Sequence, residues 1–286
     1  MDLTRKIKSV YKGRQSMDGA GVKLTRIFGY LESPDFDPFL LLDYFDSKDS
    51  ADYIKGFPWH PHRGIVTVTY LISGSIEHED SLGNRGIING GDCQWMTAGS
   101  GIVHKEMMME SNHLMGVQLW INLPAEKKMV WPAYNNIKKS EIKSVETDKA
   151  VVKIISGSYG GVTGPVESIE ADTTLLDVEI KPYEDFGYKT DPDLNVSVFV
   201  IGGKGFFDNE RNDFVCNGTL AHFEEGESIE VTASSEGVRF LLLSGMPLKE
   251  KIAWRGPIVM NSKDELEKAF EELDMGTFVK NKDESI

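Results

Sequence analysis

Cysteine is nearly absent from this 286-residue chain: Cys93 and Cys216 are the only two, far apart in sequence. Two such residues exclude a disulfide framework, and neither has a second Cys or a His at metal-ligand spacing. Both are expected to stay reduced, with Cys93 a small buried hydrophobe. Long apolar runs are missing too. Nowhere do eighteen consecutive apolar residues occur, so no membrane span is expected. The opening MDLTRKIKSV carries basic residues without a following apolar stretch, which argues against a signal peptide and for a cytoplasmic protein. Positive charge is in short supply: 31 Lys and Arg stand against 45 Asp and Glu, a net charge of −14. Such a surface repels phosphates, and direct nucleic-acid binding is not expected.

What is present suffices for packed interiors. Hydrophobic residues make up 40%, with five Trp, fourteen Phe and nine Tyr, and the length suits two domains. The run FLLLDYF (39–45) reads as a buried strand, and IVTVTYLI (65–72), rich in β-branched residues and closed by Ser73-Gly74-Ser75, as another. Short strands follow at 76–79, 87–88, 92–96, 102–109 and 115–123, divided by Gly, Asn and Ser turns, the signature of an all-β sandwich or barrel.

The polar stretch NIKKSEIKSVETDKA marks a boundary: residues 1–135 form one domain, 136–150 a linker and 151–286 a second domain. The two halves resemble each other. GDCQWMTAGS from Gly91 aligns without gaps on GESIEVTASS from Gly226, and YLISG before Gly74 matches VIGG before Gly203, about 130 residues apart, which implies two copies of one fold. Near the end, SKDELEKAFEELDMG predicts a helix over 262–275, opened by a Ser262–Glu265 capping box and closed by Gly276, with Leu266, Ala269, Phe270 and Leu273 as its packing stripe. Residues 279–286 read as a frayed end.

The chemistry concentrates in GFPWHPHRG and GDCQWMTAGSGIVHKE, which supply His60, His62, His104 and Glu106. Residues i and i+2 of a strand share a face, so two neighbouring strands bring these four side chains together. One H-x-H pair alone could be a solvated face. A second pair ending in a carboxylate, preceded by Gly99 and Gly101 for a tight turn, argues for a metal site of three imidazoles and one carboxylate with positions left open. In the second copy the equivalent positions fall at Lys189 and Asp191 and near Arg239 and Leu241, so one metal per chain is expected. Counting alternation onward from the ligands puts Val66 and Val68 on the face of His60 and His62, and Met108 on that of His104 and Glu106. These residues either line an apolar pocket or merely fill the barrel. Trp95 and Gln118 are further candidates for the pocket wall, and Gln118 alternatively faces solvent.

HPHRG, then GDxQWMTAGxGIxHxE, QLWxNLP and GPIVMN (256–261), resemble the pirin family over nearly the whole chain. The resemblance implies a bicupin: two antiparallel, jelly-roll-like β-barrel domains facing each other, with metal in the amino-terminal barrel only and a short C-terminal helix. It implies His60, His62, His104 and Glu106 as ligands, usually of iron as Fe(II), with Zn, Ni, Mn or Cu as substitutes by availability. Val66 is a departure, since relatives commonly carry glutamate a few residues after H-x-H, and it is expected to alter pocket polarity more than coordination. Two functions are implied. One is a quercetin 2,3-dioxygenase-like enzyme taking a flavonol-type aromatic and O2, with Glu106 accepting the substrate's hydroxyl proton. The other is a non-catalytic iron- or redox-sensing regulator, like the transcriptional co-regulators among animal pirins, working through a protein partner. A monomer is expected in either case.

Overall fold

The computed structural model describes residues 3–166, 173–208, 210 and 213–280. It is built from antiparallel strands with a 12-residue helix, Lys263–Asp274, near the end. By internal contacts the chain forms two compact units. The histidine-bearing unit comprises Arg14–Asp35, Phe39–Lys139 and Leu248–Ile286, and the second comprises Met1–Gly13, Phe36–Pro38 and Ser140–Pro247.

This division corrects the sequential one in two places. The first strand, Ile7–Lys12, belongs to the second unit because it pairs with Thr219–Phe223, with Val10 opposite Ala221. The end of the chain belongs to the histidine-bearing unit, where the hairpin Ala253–Arg255/Ile258–Met260 places Val259 in a core with Ile65, Met96 and Ile102. Residues 136–150 are not a bare linker either. Ala133–Ile137 pairs with Cys93–Thr97, and Lys143–Glu146 pairs with Ala150–Ser156. The units divide between Lys139 and Ser140, inside that polar stretch.

The histidine-bearing unit contains two open antiparallel sheets. The larger runs, in spatial order, Ala133–Ile137, Cys93–Thr97, Ile65–Ser73, Leu114–Asn122, Phe39–Ser47, Val22–Phe28 and Arg14–Asp18; the smaller runs Phe57–His62, Ile102–Met108, Ser75–Asp80 and Arg85–Asn89. Leu24, Phe45 and Leu71 of the first pack with Ile76, Ile88 and Met108 of the second, so the sheets lie face to face over one core. The result is a jelly-roll sandwich rather than a closed barrel.

The second unit has its own nine-stranded sheet and a core of Val152, Ile154, Leu176, Val198, Phe240 and their neighbours. Its longest strand, Ser228–Gly245, pairs with Asp185–Lys189 through its first part and with Thr173–Ile180 through its last. The terminal helix begins as its sequence predicts. Glu265 N–H donates to Ser262 Oγ at 3.3 Å, Ser262 N–H donates to Glu265 Oε2 at 2.8 Å, and Gly276 ends the helix at φ +72°. Of the expected frayed end, residues 281–286 lie outside the described residues. Among the described residues no helix is long and apolar enough to cross a membrane.

Candidate metal centre

His60 and His104 sit directly opposite each other on the antiparallel strands Phe57–His62 and Ile102–Met108, and His62 lies opposite Ile102. Alternation turns His62 to the same face as His60. The three rings meet with centroids 4.4 Å apart for His60–His104, 4.8 Å for His60–His62 and 5.1 Å for His62–His104. One ligand nitrogen from each lies within 4.8 Å of the others, and this trio is the group of three or more metal-capable side chains found among the described residues.

Two of the rings are oriented by backbone carbonyls. His60 Nδ1 is 2.7 Å from the Pro58 carbonyl oxygen and His62 Nδ1 is 3.2 Å from that of Pro257. A carbonyl only accepts, so Nδ1 bears the hydrogen in each and Nε2 is left for a metal. Burial drives His62 and His104 well below the ordinary histidine range, and the neighbouring imidazoles push the same way, so both are neutral. His104 is buried, yet neither ring nitrogen has a hydrogen-bond partner among the described residues. A buried polar atom left unpaired costs about 1–3 kcal/mol. A metal on the lone pair of one nitrogen removes that cost for it, and three imidazoles suit a first-row ion. The residues fit a metal.

Glu106 is buried on the strand of His104 and stands outside the trio. Its Oε2 accepts from Gln118 Nε2 at 2.8 Å and its Oε1 from Thr69 Oγ1 at 3.1 Å. Burial raises its pKa, while His60, Gln118 and Thr69 pull the other way. Gln118 and Thr69 belong to a longer pattern. Across the larger sheet the register sets Arg26 opposite Asp43, Asp43 beside Gln118, Gln118 beside Thr69, Thr69 beside Gln94 and Gln94 beside Asn136. Directly paired residues share a face, so one inner row is polar throughout. The rows beside it carry Phe45 and Leu71 on one side and Leu41, Trp120 and Met96 on the other.

A cavity of about 450 Å³ opens on this site, lined by His60, His62 and Gln118, by Phe57, Trp59, Trp120 and Trp254, and by Arg26, Asp43 and Asp18. Trp120 lies edge-on to His62 at 5.0 Å and 5.9 Å from Trp254. The volume is in the range that holds a drug-sized ligand, and Phe57 and three indoles stand in its walls beside the charged and polar side chains.

Of the residues expected to form the pocket, Gln118 does so; Val66, Val68, Trp95 and Met108 are absent from its lining. The reason is a break in alternation. Gly64, at φ +77°, separates the histidine strand from Ile65–Ser73, and a Cβ there would lie 2.0 Å from the Val259 carbonyl oxygen. Parity does not carry across that turn. Thr69, bonded to Glu106, marks the inner face of the second strand, so Val66 and Val68 are buried on the other face with Trp95, the register partner of Val68. The valine at 66 therefore leaves the cavity's polarity unchanged. Met108 shares the face of His104 but packs among Phe45, Phe57, Leu71 and Ile76.

Sequence reasoning missed Arg26, Asp43, Trp254 and Pro257. Trp254 precedes the GPIVMN string and Pro257 lies within it, and no short-range pattern encodes the presence of that string beside the histidines. Arg63 joins the same ends of the chain: its Nη2 donates to Glu272 Oε2 at 2.7 Å and to the Phe278 carbonyl at 3.0 Å.

Two facing antiparallel sheets with three convergent imidazoles, two of them lining a cavity, define a cupin with a metal-competent centre. Residues 21–121 match the Pirin family and residues 175–279 the Pirin C-terminal cupin domain. A pirin-like protein of Caulobacter vibrioides is 39% identical over 277 residues, covering 96% of this chain and 99% of that one. The chain belongs to the pirin family. Among solved structures, the quercetin 2,3-dioxygenase from Acinetobacter baumannii superposes with a TM-score of 0.87 at 29% identity, covering 96% of this chain and 98% of its own. The pirin YhhW from Escherichia coli, solved in complex with nickel(II), shares the fold at TM-score 0.65 and 20% identity over 84% of this chain and 99% of its own.

Proposed function

We propose that the chain holds one transition metal, with iron as the native ion, and is a dioxygenase acting on flavonol-type aromatics. The observation that carries this reading is the convergent imidazole trio, two of whose rings, His60 and His62, line a cavity that Phe57, Trp120 and Trp254 also line. The similarity to a quercetin 2,3-dioxygenase over almost the whole chain supports it. His60, His62 and His104 hold the metal, and Glu106 supplies the carboxylate of the site. When bound, a first-row metal supplies Lewis acidity and, in the case of iron, reactivity toward O2.

The chain's own part is binding, orientation and proton transfer. The indoles and Phe57 take the flat rings out of water and align them. A Glu106 oxygen accepts the flavonol hydroxyl proton, and its raised pKa makes it a stronger acceptor than an exposed carboxylate. Gln118 and Thr69 keep the carboxylate in place, since each occupies one of its oxygens as a donor. The test is to incubate iron-loaded protein with quercetin while following flavonol absorbance and O2 uptake. Flavonol-dependent O2 consumption is expected. Full iron occupancy with no such consumption rules out the dioxygenase and leaves an iron-sensing regulator as the reading of the same centre.

A further inference from the structure

One wall of the cavity has no part in the chemistry above. Arg26 Nε donates to Asp43 Oδ1 at 2.8 Å, and its Nη2 donates to Asp43 Oδ2 at 2.7 Å and to Asp18 Oδ2 at 2.9 Å. The Arg26 side chain keeps 21% of its exposure and Asp43 only 5%. A nearly buried ion pair adds little stability beyond what apolar side chains of the same size give, and the neighbouring rows of this inner face are largely apolar. Stability therefore does not account for charges at this position. The two-pronged contact with Asp43 fixes the guanidinium plane. It leaves Nη1 without a hydrogen-bond partner among the described residues, on a side chain that lines the cavity. Asp43 pairs in register with Gln118, so Arg26 stands two strands from Gln118, or about 10 Å at ordinary strand spacing. Gln118 is itself hydrogen-bonded to Glu106 at 2.8 Å.

We propose that Arg26, positioned by Asp43, determines specificity by donating through Nη1 to an oxygen on the ring of the ligand remote from the metal. The adjacent Asp18 carboxylate accepts from a hydroxyl there. The substrate class that follows is a polyphenol of two linked lobes: one end lies at the metal that the imidazoles would hold, while the other carries hydroxyls and reaches Arg26 at the end of the polar row. The inference rests on the flavonol reading and narrows it.

The test is equilibrium binding to the metal-loaded protein without O2, read by quenching of tryptophan fluorescence. The probes are quercetin and 3-hydroxyflavone, which share the chelating hydroxyl–carbonyl pair, while the second lacks hydroxyls on the remaining rings. The wild type is expected to bind quercetin roughly 10- to 100-fold more tightly, the range for hydrogen bonds to charged groups. In Arg26→Lys and Arg26→Met the ratio should collapse toward one while 3-hydroxyflavone keeps its affinity, which also shows that the variants are folded. Equal affinities for the wild type, or a ratio unchanged in both variants, overturns the role of Arg26 and leaves the flavonol reading standing. If one variant binds neither probe, the ratio in the other decides, and loss of both probes in both variants overturns the role of Arg26 in specificity. Failure of both probes to bind the loaded wild type overturns the flavonol reading and this inference with it.

Discussion

Arg63 follows His62 directly, and its guanidinium is held almost entirely by the end of the chain: Glu272 on the terminal helix at 2.7 Å, the Phe278 carbonyl at 3.0 Å and the Phe278 ring 4.2 Å from its Cζ. With 2% of the Arg63 side chain exposed, replacing Glu272 by Gln leaves a buried cation without its counter-charge. Breaking a buried pair costs about 3–5 kcal/mol. The Phe278 contacts survive the substitution and Glu272 keeps 11% exposure, so about 3 kcal/mol is expected for Glu272→Gln.

All five tryptophans (59, 95, 120, 131 and 254) lie in the histidine-bearing unit, so denaturant unfolding followed by tryptophan fluorescence reads that unit. The pH dependence gives a second check. Burial pushes the Glu272 carboxyl up, but Lys280 and Arg63 together hold it below the usual value of 4.5. Its contribution is complete above that value and is lost as pH falls through the lower folded value, so the gap between wild type and variant should close in acid. Because the same segment carries Pro257, the carbonyl partner of His62, a loosened tail should also weaken metal binding by about tenfold. A stability difference under about 1 kcal/mol at neutral pH, the scale of a surface pair, would refute the reasoning.

Elemental analysis should find one transition metal per chain, and the double variant His60→Ala, His62→Ala should bind none; full occupancy in that variant, or two metals per wild-type chain, would place the site elsewhere. Glu106→Gln should retain metal while turnover of a flavonol falls by roughly 100- to 10,000-fold, the usual effect of losing a general base. Turnover at the wild-type rate with metal bound would remove Glu106 from proton transfer. His78 is buried, shares a 2.6 Å hydrogen bond with the Tyr134 hydroxyl, and is lowered by burial to about 4. The unfolded chain takes up this proton from pH 6.5 downward, so His78 should account for a loss of up to about 3 kcal/mol between pH 6.5 and 4, and none above, in addition to what His62 and His104 withdraw in metal-free protein. His78→Gln should flatten that part of the pH–stability curve, and a curve of unchanged slope would show that His78 is charged in the folded state.

The strands were readable because alternation and turn residues are local. The end of Ile65–Ser73 at Gly74, for example, needs only the β-branched run and a residue able to adopt φ +89°. Spacing likewise marked His60, His62 and His104, since i, i+2 geometry operates within one strand. What could not be read depends on contacts distant in sequence. Membership of Ile7–Lys12 in the second unit is decided by its pairing with Thr219–Phe223, and the orientation of His62 by a carbonyl 195 residues away. Val66 and Val68 show the limit most sharply. Their facing was inferred by counting through Arg63 and Gly64, but the glycine's left-handed backbone resets the count, and the tight approach of the Val259 carbonyl permits no other residue there.

The polar row across the larger sheet could not have been found from any one segment, because Arg26, Asp43, Gln118, Thr69, Gln94 and Asn136 come from six strands and each reads as an ordinary polar residue in its own. Once the register aligns them, their neighbours decide what each does. Gln118 and Thr69 lie against Glu106 and oppose the rise in its pKa that burial causes. Arg26 and Asp43 pair with each other across neighbouring strands and line the cavity. Replacing the row with leucines would give a sandwich packed as well as its neighbouring rows. It would leave Glu106 without donors and the cavity without a polar wall, so the row is explained by the site it serves and not by the fold it crosses.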